Sequence, residues 1–157
     1  MLLKTTLLGK TYAFRDLKDV LAKANEEKTG DKLAGLAAEN ARQRIAAKVV
    51  RFHVLANSDS EEDQRLKLRV KETVLEMVRP MLEGVESKQE AVEILQKNME
   101  EIEAEADKVI LEEGYDYQSK GILGKTTFPI KQYGDMVFPA GEYEAFRILL
   151  GDAKGKN

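Results

Sequence analysis

Hydrophobic residues follow a helical period through the middle of the chain. One set recurs at three- and four-residue spacing as far as Glu83, and a second runs between Ser87 and Gly114. The two sets are Leu66, Val70, Val74, Met77, Val78 and Met81, then Val92, Leu95, Met99, Ile102, Ala106 and Val109. Each set predicts one helix with a single apolar face. The second seam also fits a coiled-coil partner site, but its short length favours core packing.

Strand-like runs lie on both sides of these two helices. Residues 49–55 are an apolar run of β-forming residues that ends in a polar turn at 57–60. After the helices, residues 115–123, 126–130, 136–138 and 142–150 form short runs separated by glycine and proline. The order of strand, two helices, then three to four antiparallel strands predicts an α+β fold with both helices on one sheet face. The pattern leaves open whether the first strand pairs with the last.

The first 48 residues have a pattern of their own. Residues 3–14 read as two short strands around Gly9-Lys10, and Asp16 is a plausible cap for a helix that ends at Thr29-Gly30. An alanine-rich helix then continues to Ala47, with small side chains suited to close packing. The chain is therefore expected to divide into a hairpin-plus-helices segment, residues 1–48, and a domain, residues 49–157.

Charge and composition exclude several classes of function. The chain has 157 residues and a net charge of -3, which gives no reason to expect nucleic acid as a partner. It has no cysteine and one histidine, so disulfides, thiolate metal sites and histidine-rich sites are ruled out, and no cofactor is expected. No apolar run reaches membrane-spanning length. Because Lys4 interrupts the first apolar residues, we also expect no export signal.

Two motifs invite a chemical interpretation. His53 lies near Asp59, Glu61 and Glu62 in sequence, so a metal site with one histidine and several carboxylates can be drawn. The carboxylates are better explained by a helix start, and the histidine by packing within a strand. Residues 121–126 read G-x-x-G-K-T, which is shorter than a phosphate-binding loop and is followed by strand rather than helix. We therefore predict no catalytic, metal or nucleotide site.

Two turns near the end of the chain are the better candidates for contact with a partner. Tyr133-Gly134-Asp135 and residues 139–143 place aromatic side chains on turns, as interaction loops do. The same residues equally fit plain hairpins whose tyrosines pack at the sheet edge, and both interpretations stay open. The candidate partner-binding residues are His53, Asn57, Asp59, Tyr133, Gly134, Asp135, Pro139, Glu142 and Tyr143.

Several separated motifs of the second part occur in the order of a known family. They are residues 51–64, 113–117, 127–129, 133–135 and 139–145, with Gly151 and residues 155–157. Together they resemble the extracytoplasmic domain of the stage II sporulation protein R family. The resemblance implies a non-enzymatic signal secreted into the space between forespore and mother cell. Its partner would be the extracytoplasmic face of a membrane-embedded aspartic protease, which it activates by contact and which processes a precursor sigma factor.

A second resemblance covers the first part. Residues 3–7, 19–26, 30–35 and 44–49 are similar to the amino-terminal segment of the heavy subunit of ethanolamine ammonia-lyase. Members of that family depend on adenosylcobalamin, and their chemistry lies in a later barrel domain outside this resemblance. We therefore expect neither lyase activity nor cobalamin binding, and we interpret the chain as a chimera. The alternative function is an inert chimera or lyase-related fragment without catalytic residues.

Overall fold

The computed structural model describes residue 22 and residues 32–47, 49–133 and 136–156. The predicted hairpin at 3–14 and the helix after it lie outside these ranges, apart from residue 22. The described elements, in chain order, are α1 (Lys32–Ala46), β1 (Val50–Leu55), α2 (Glu61–Leu82), α3 (Lys88–Lys97), α4 (Met99–Glu112), β2 (Ser119–Phe128), β3 (Lys131–Tyr133), β4 (Met136–Phe138) and β5 (Gly141–Leu150). The predicted α+β class is confirmed.

The main sheet has the strand order β1-β5-β2, so the last strand lies in its centre. β2 runs antiparallel to β5, from Ser119 opposite Leu150 to Phe128 opposite Gly141. β1 runs parallel to β5, with Phe52 opposite Phe146. The first strand therefore pairs with the last, and the sheet is mixed rather than wholly antiparallel. β3 and β4 form a separate two-stranded ladder.

The predicted break in the strand at Gly124-Lys125 is wrong. Gly124 lies opposite Ala145 in the middle of β2, and the ladder with β5 continues through it without interruption. No atom lies within 4 Å of where a Cβ of Gly124 would be, so neither a turn nor a close approach requires glycine there. The two runs predicted on either side of it are one ten-residue strand.

The second predicted helix is two helices. Asn98 ends α3, where its side-chain amide donates to the carbonyl of Ile94 at 2.8 Å, and α4 begins at the next residue. A local side-chain hydrogen bond to the backbone competes with the helical ladder and explains the break. The described part of 49–157 thus has three helices instead of the predicted two. The hydrophobic seam survives the break, because Leu95, Ile102 and Ala106 are all buried.

The predicted helix ends are largely confirmed. Ser60 caps α2 and Ser87 caps α3, each accepting a hydrogen bond from the backbone N–H three residues on. Pro80 lies inside the last turn of α2, which ends at Leu82. Gly84 then takes a φ of +78°, the left-handed conformation that favours glycine.

The main core lies between the helices and one face of the sheet. Phe52 and Phe146 stack with ring centroids 5.3 Å apart, and side chains of α2, α3 and α4 cover them. α1 also takes part in the fold, because Ala38, Ala41 and Ile45 are buried and the helix contacts β5. The alanine-rich helix of the first segment therefore packs on the domain that follows it.

Candidate interaction surface

A buried carboxylate organises the turn between β1 and α2. Asp63 accepts hydrogen bonds from the Ser58 hydroxyl at 2.5 Å, the Tyr117 hydroxyl at 2.7 Å and the Asn57 amide at 3.0 Å. We call these four residues the Asp63 cluster. Tyr117 comes from the segment that leads into β2, so the cluster ties two distant parts of the chain together.

The electrostatics of the Asp63 cluster fit a structural role. Burial acts to raise the pKa of Asp63, but the hydrogen bonds it receives, from Ser58 first and then Tyr117, hold the pKa below its ordinary value. Burial and the bond to Asp63 raise the pKa of Tyr117. At neutral pH the carboxylate is therefore charged and the phenol protonated, which are the states that this hydrogen bond needs.

The same turn holds residues 151–156, which we call the C-terminal tail. The backbone N–H of Asp152 donates to Asn57 Oδ1 at 2.8 Å, and that of Lys156 donates to Asp59 Oδ1 at 2.7 Å. Two further backbone bonds join the tail to the carbonyls of Ala56 and Asn57. Asn57 and Asp59, both candidate partner-binding residues, thus bind the chain's own tail.

A cationic stack lies on the sheet face opposite α2, α3 and α4. The Arg51 guanidinium carbon is 4.2 Å from the ring centroid of Phe128 and 4.8 Å from that of Tyr143, and Arg51 is only 2% exposed. The His53 ring lies 5.8 Å from the Phe128 ring, so this candidate residue packs against an aromatic side chain. Arg51 and Phe128 were not predicted to belong to one site. An arginine between Val50 and Phe52, inside an apolar strand, was the available signal.

The second group of candidate residues is spread over different environments. Tyr143 is 3% exposed, and its hydroxyl donates to the carbonyl of Pro139 at 2.6 Å, so of the two interpretations left open the packed tyrosine fits this residue. Tyr143 lies on the central strand, where its neighbours cover it. Pro139 is also buried, whereas Glu142 is exposed and its carboxylate lies 4.0 Å from Lys125 Nζ.

The turn that joins β3 to β4 is described only in part. Gly134 and Asp135 lie outside the described residues, and of Tyr133 only the backbone is described, which pairs with Met136. Whether these three residues contact a partner stays a prediction.

A basic groove, which the sequence analysis also missed, lies beside the Arg51 stack. It has a volume of about 480 Å³ and is lined by residues 51–54 of β1, by part of α2 and by the segment between β2 and β3. Its charged lining residues are Arg51, Lys67, Lys71 and Lys131. His53 also lines the groove, and none of the described lining residues is a carboxylate. Burial, and then the charges of Lys67 and Lys131, lower the pKa of Lys71. The groove therefore concentrates positive charge on a chain of net negative charge.

Two classes of feature are missing from the described part of the chain. Its histidine, aspartate and glutamate side chains nowhere gather in a group of three or more that could hold a metal ion. None of its helices combines the length and the apolar character needed to cross a membrane.

Comparison with known proteins gives one match to most of the chain. Residues 46–157 match the family model described as Stage II sporulation protein R. The chain is 34% identical over 155 residues to Stage II sporulation protein R of Bacillus subtilis (strain 168), an alignment that covers 99% of the chain and 67% of the relative. No solved structure is a significant match.

A second match covers the amino-terminal part. Residues 12–79 match the family model of the ethanolamine ammonia lyase large subunit. The corresponding proteins of Escherichia coli (strain K12) and Salmonella typhimurium (strain LT2) are each 60% identical over 50 residues, which is 32% of the chain and 11% of the relative. The chain therefore spans about a tenth of the length of these lyases. The two family matches overlap at residues 46–79, so the boundary predicted near residue 48 stays a prediction.

Proposed function

Because the chain belongs to the stage II sporulation protein R family, we propose that it acts as a secreted sporulation signal that activates a membrane-embedded aspartic protease by direct contact. The activated protease then processes a precursor sigma factor. One observation carries this proposal, namely the similarity to the Bacillus subtilis protein over 99% of the chain. The mechanism is a population shift, because a ligand that binds the active state of the protease more tightly favours that state.

We propose no catalytic role for His53 or Asp59, because their contacts are structural. His53 packs on Phe128, and Asp59 accepts a hydrogen bond from the chain's own tail. Each of these groups therefore has a structural partner that accounts for its position. The lyase-like part corresponds to 11% of the length of its relatives, and no lyase activity is proposed for it.

The proposal is tested with the whole chain and the protease in membranes. Addition of the purified chain to the extracytoplasmic side should lead to binding and to cleavage of the precursor sigma factor. A chain that neither binds the protease nor increases cleavage would overturn the proposal and leave the inert chimera as the better interpretation.

The turn between β3 and β4 is the first surface to probe. Replacement of Tyr133 or Asp135 by alanine should weaken binding if that turn contacts the protease. Asp116→Ala is the control, because Asp116 is exposed and lies in another part of the chain. Tyr143 is unsuitable for this purpose, since its burial means that a substitution would disturb the fold. Equal binding by all three variants would remove the turn from the proposed surface.

A further inference from the structure

The basic groove combines positive charge from separate elements on one concave surface. Lys67 and Lys71 lie four residues apart on α2, and Lys131 reaches the same groove from the start of β3. Like charges at this helical spacing repel each other, so the pair lowers the stability of α2. The fold therefore accepts an unfavourable arrangement at this place.

The neighbours of these lysines do not neutralise them. None of the three has an ion pair with another described residue, and the carboxylate one turn before Lys67 is Asp63, which is occupied by its own cluster. One turn after Lys71 stands Leu75, which is buried in the core. Burial first, and then the positive charges of Lys67 and Lys131, lower the pKa of Lys71, so the charges of these lysines act on one another in the folded chain.

Exposed apolar side chains accompany the charge, and we call Leu68 and Ile130 the apolar strip. Leu68, which lines the groove, is 55% exposed, and Ile130 is 61% exposed between the lining residues Pro129 and Lys131. Large exposed apolar side chains beside a groove mark surfaces where another molecule is bound. Charge and apolar area together define the chemistry of the occupant.

We propose that the basic groove binds an acidic segment of a partner protein, with carboxylates opposite Lys67, Lys71 and Lys131 and an apolar side chain against Leu68 and Ile130. An anionic membrane also carries complementary charge. However, a flat bilayer does not fill a concave groove, whereas a peptide segment does. The inference rests on the proposed function for the identity of the partner.

Charge reversal tests whether the basic groove is the contact surface for the partner. In the whole chain, Lys67, Lys71 and Lys131 are replaced together by glutamate, and binding to the extracytoplasmic part of the protease is measured at low and high ionic strength. The matched control replaces Lys97, Lys108 and Lys120 by glutamate. These three lysines are exposed and lie outside the groove, and their replacement gives the same change in net charge. The groove variant should bind at least about tenfold more weakly than the control, because like charges across an interface are costly.

The outcomes separate the inference from the proposed function. If the unmodified chain binds and both triple variants bind equally, the groove is not the contact surface and the inference is overturned, while the proposed function stands. If the unmodified chain does not bind the protease, the proposed function fails and the inference falls with it. Circular dichroism and melting of both variants establish that each is folded before binding is compared.

The apolar strip and the membrane have separate tests. Leu68→Ser should weaken binding to the protease, whereas Leu111→Ser should not, because Leu111 is 74% exposed but lies outside the groove. Equal effects of the two changes would overturn the assigned role of the strip.

The unmodified chain is also sedimented with vesicles of phosphatidylglycerol and phosphatidylcholine. Sedimentation that the groove substitutions abolish would identify a membrane surface and overturn the inference.

Discussion

Asp63 is the residue on which most of the local polar contacts converge. It is 6% exposed and accepts hydrogen bonds from Ser58, Tyr117 and Asn57. Groups that donate to a buried carboxylate lose their partner when the charge is removed, and each then costs free energy. The cluster is therefore sensitive to a change of a single atom.

Asp63→Asn should lower the free energy of unfolding by about 2 kcal/mol. The substitution replaces a carboxylate oxygen, which accepts hydrogen bonds, by an amide nitrogen, which is itself a donor and would face the same hydroxyl or amide donors. Asp116→Asn is the matched control, since Asp116 is exposed, and it should change stability by less than about 0.5 kcal/mol. Urea denaturation of the two variants and the unmodified chain measures both values. Equal stability of the two variants would show that the cluster contributes nothing.

The same residue predicts a dependence of stability on pH. Its folded-state pKa lies below the ordinary value of 3.8, so the unfolded chain binds the proton more tightly than the folded chain does. The contribution of Asp63 is thus fully present above pH 3.8 and is lost as the pH falls through the lower, folded-state pKa. The unfolding free energy should therefore fall less steeply below pH 3.8 in Asp63→Asn than in the unmodified chain. An unchanged slope would contradict the prediction, and Asp116→Asn supplies the reference slope.

Residue types predicted the local part of this site but not its distant part. The polar turn at 57–60 and the acidic residues after it are sufficient to predict where α2 begins, since the groups involved lie close together in sequence. The bonds from Tyr117 to Asp63 and from Lys156 to Asp59 join residues far apart in sequence. No local pattern reports them, so Asn57 and Asp59 looked available for a partner when they bind the tail.

At the scale of elements, hydrogen bonds from backbone N–H groups hold the C-terminal tail against the β1–α2 turn. Gly155 lies close to the backbone of this turn, because a Cβ there would be 2.9 Å from the carbonyl oxygen of Ser58 and 3.0 Å from that of Ala56. Both atoms belong to the backbone and cannot move aside as a flexible side chain would.

Gly155→Ala should therefore loosen the tail and lower the free energy of unfolding by about 1 kcal/mol. Gly124→Ala is the matched control, because the space around Gly124 is open and alanine suits a strand better than glycine, which should leave stability unchanged or raise it slightly. Chemical denaturation gives the free energies, and amide hydrogen exchange of Lys154 and Lys156 reports the tail itself. Faster exchange in both variants, or in neither, would contradict this account.

The elements were predicted best where one hydrophobic period runs without interruption, as in α2. The break at Asn98 was not predicted, because the apolar seam continues through it unchanged. A side-chain hydrogen bond from Asn98 to the carbonyl of Ile94 ends the helix there. The opposite error occurred at Gly124, where a residue typical of turns lies in a continuous ladder. Pairing with β5 decides the conformation there, and the local residue preference does not.

At the scale of the molecule, the question is whether the lyase-like part belongs to the folded unit. α1 falls within residues 1–48, yet Ile45 is 2% exposed and the helix contacts β5. Burial of a large side chain at such a contact stabilises the fold as any core residue does.

Ile45→Ala should then lower the free energy of unfolding by about 2 to 4 kcal/mol, as in other cores. Leu36→Ala is the matched control on the same helix, because Leu36 is 61% exposed and its truncation removes little buried area. A single cooperative transition that shifts only in Ile45→Ala is the expected result, measured by thermal and urea unfolding. If both substitutions changed the free energy of unfolding by the same small amount, the packing of α1 on the sheet would contribute little to stability.

The central position of β5 determines when the main sheet can form during synthesis. A ribosome delivers the chain from its amino terminus, and β1 and β2 meet no described strand of the main sheet except β5. The sheet therefore cannot assemble until residues 141–150 have emerged. Until then, β1 waits through α2, α3, α4 and β2 for the strand that it pairs with.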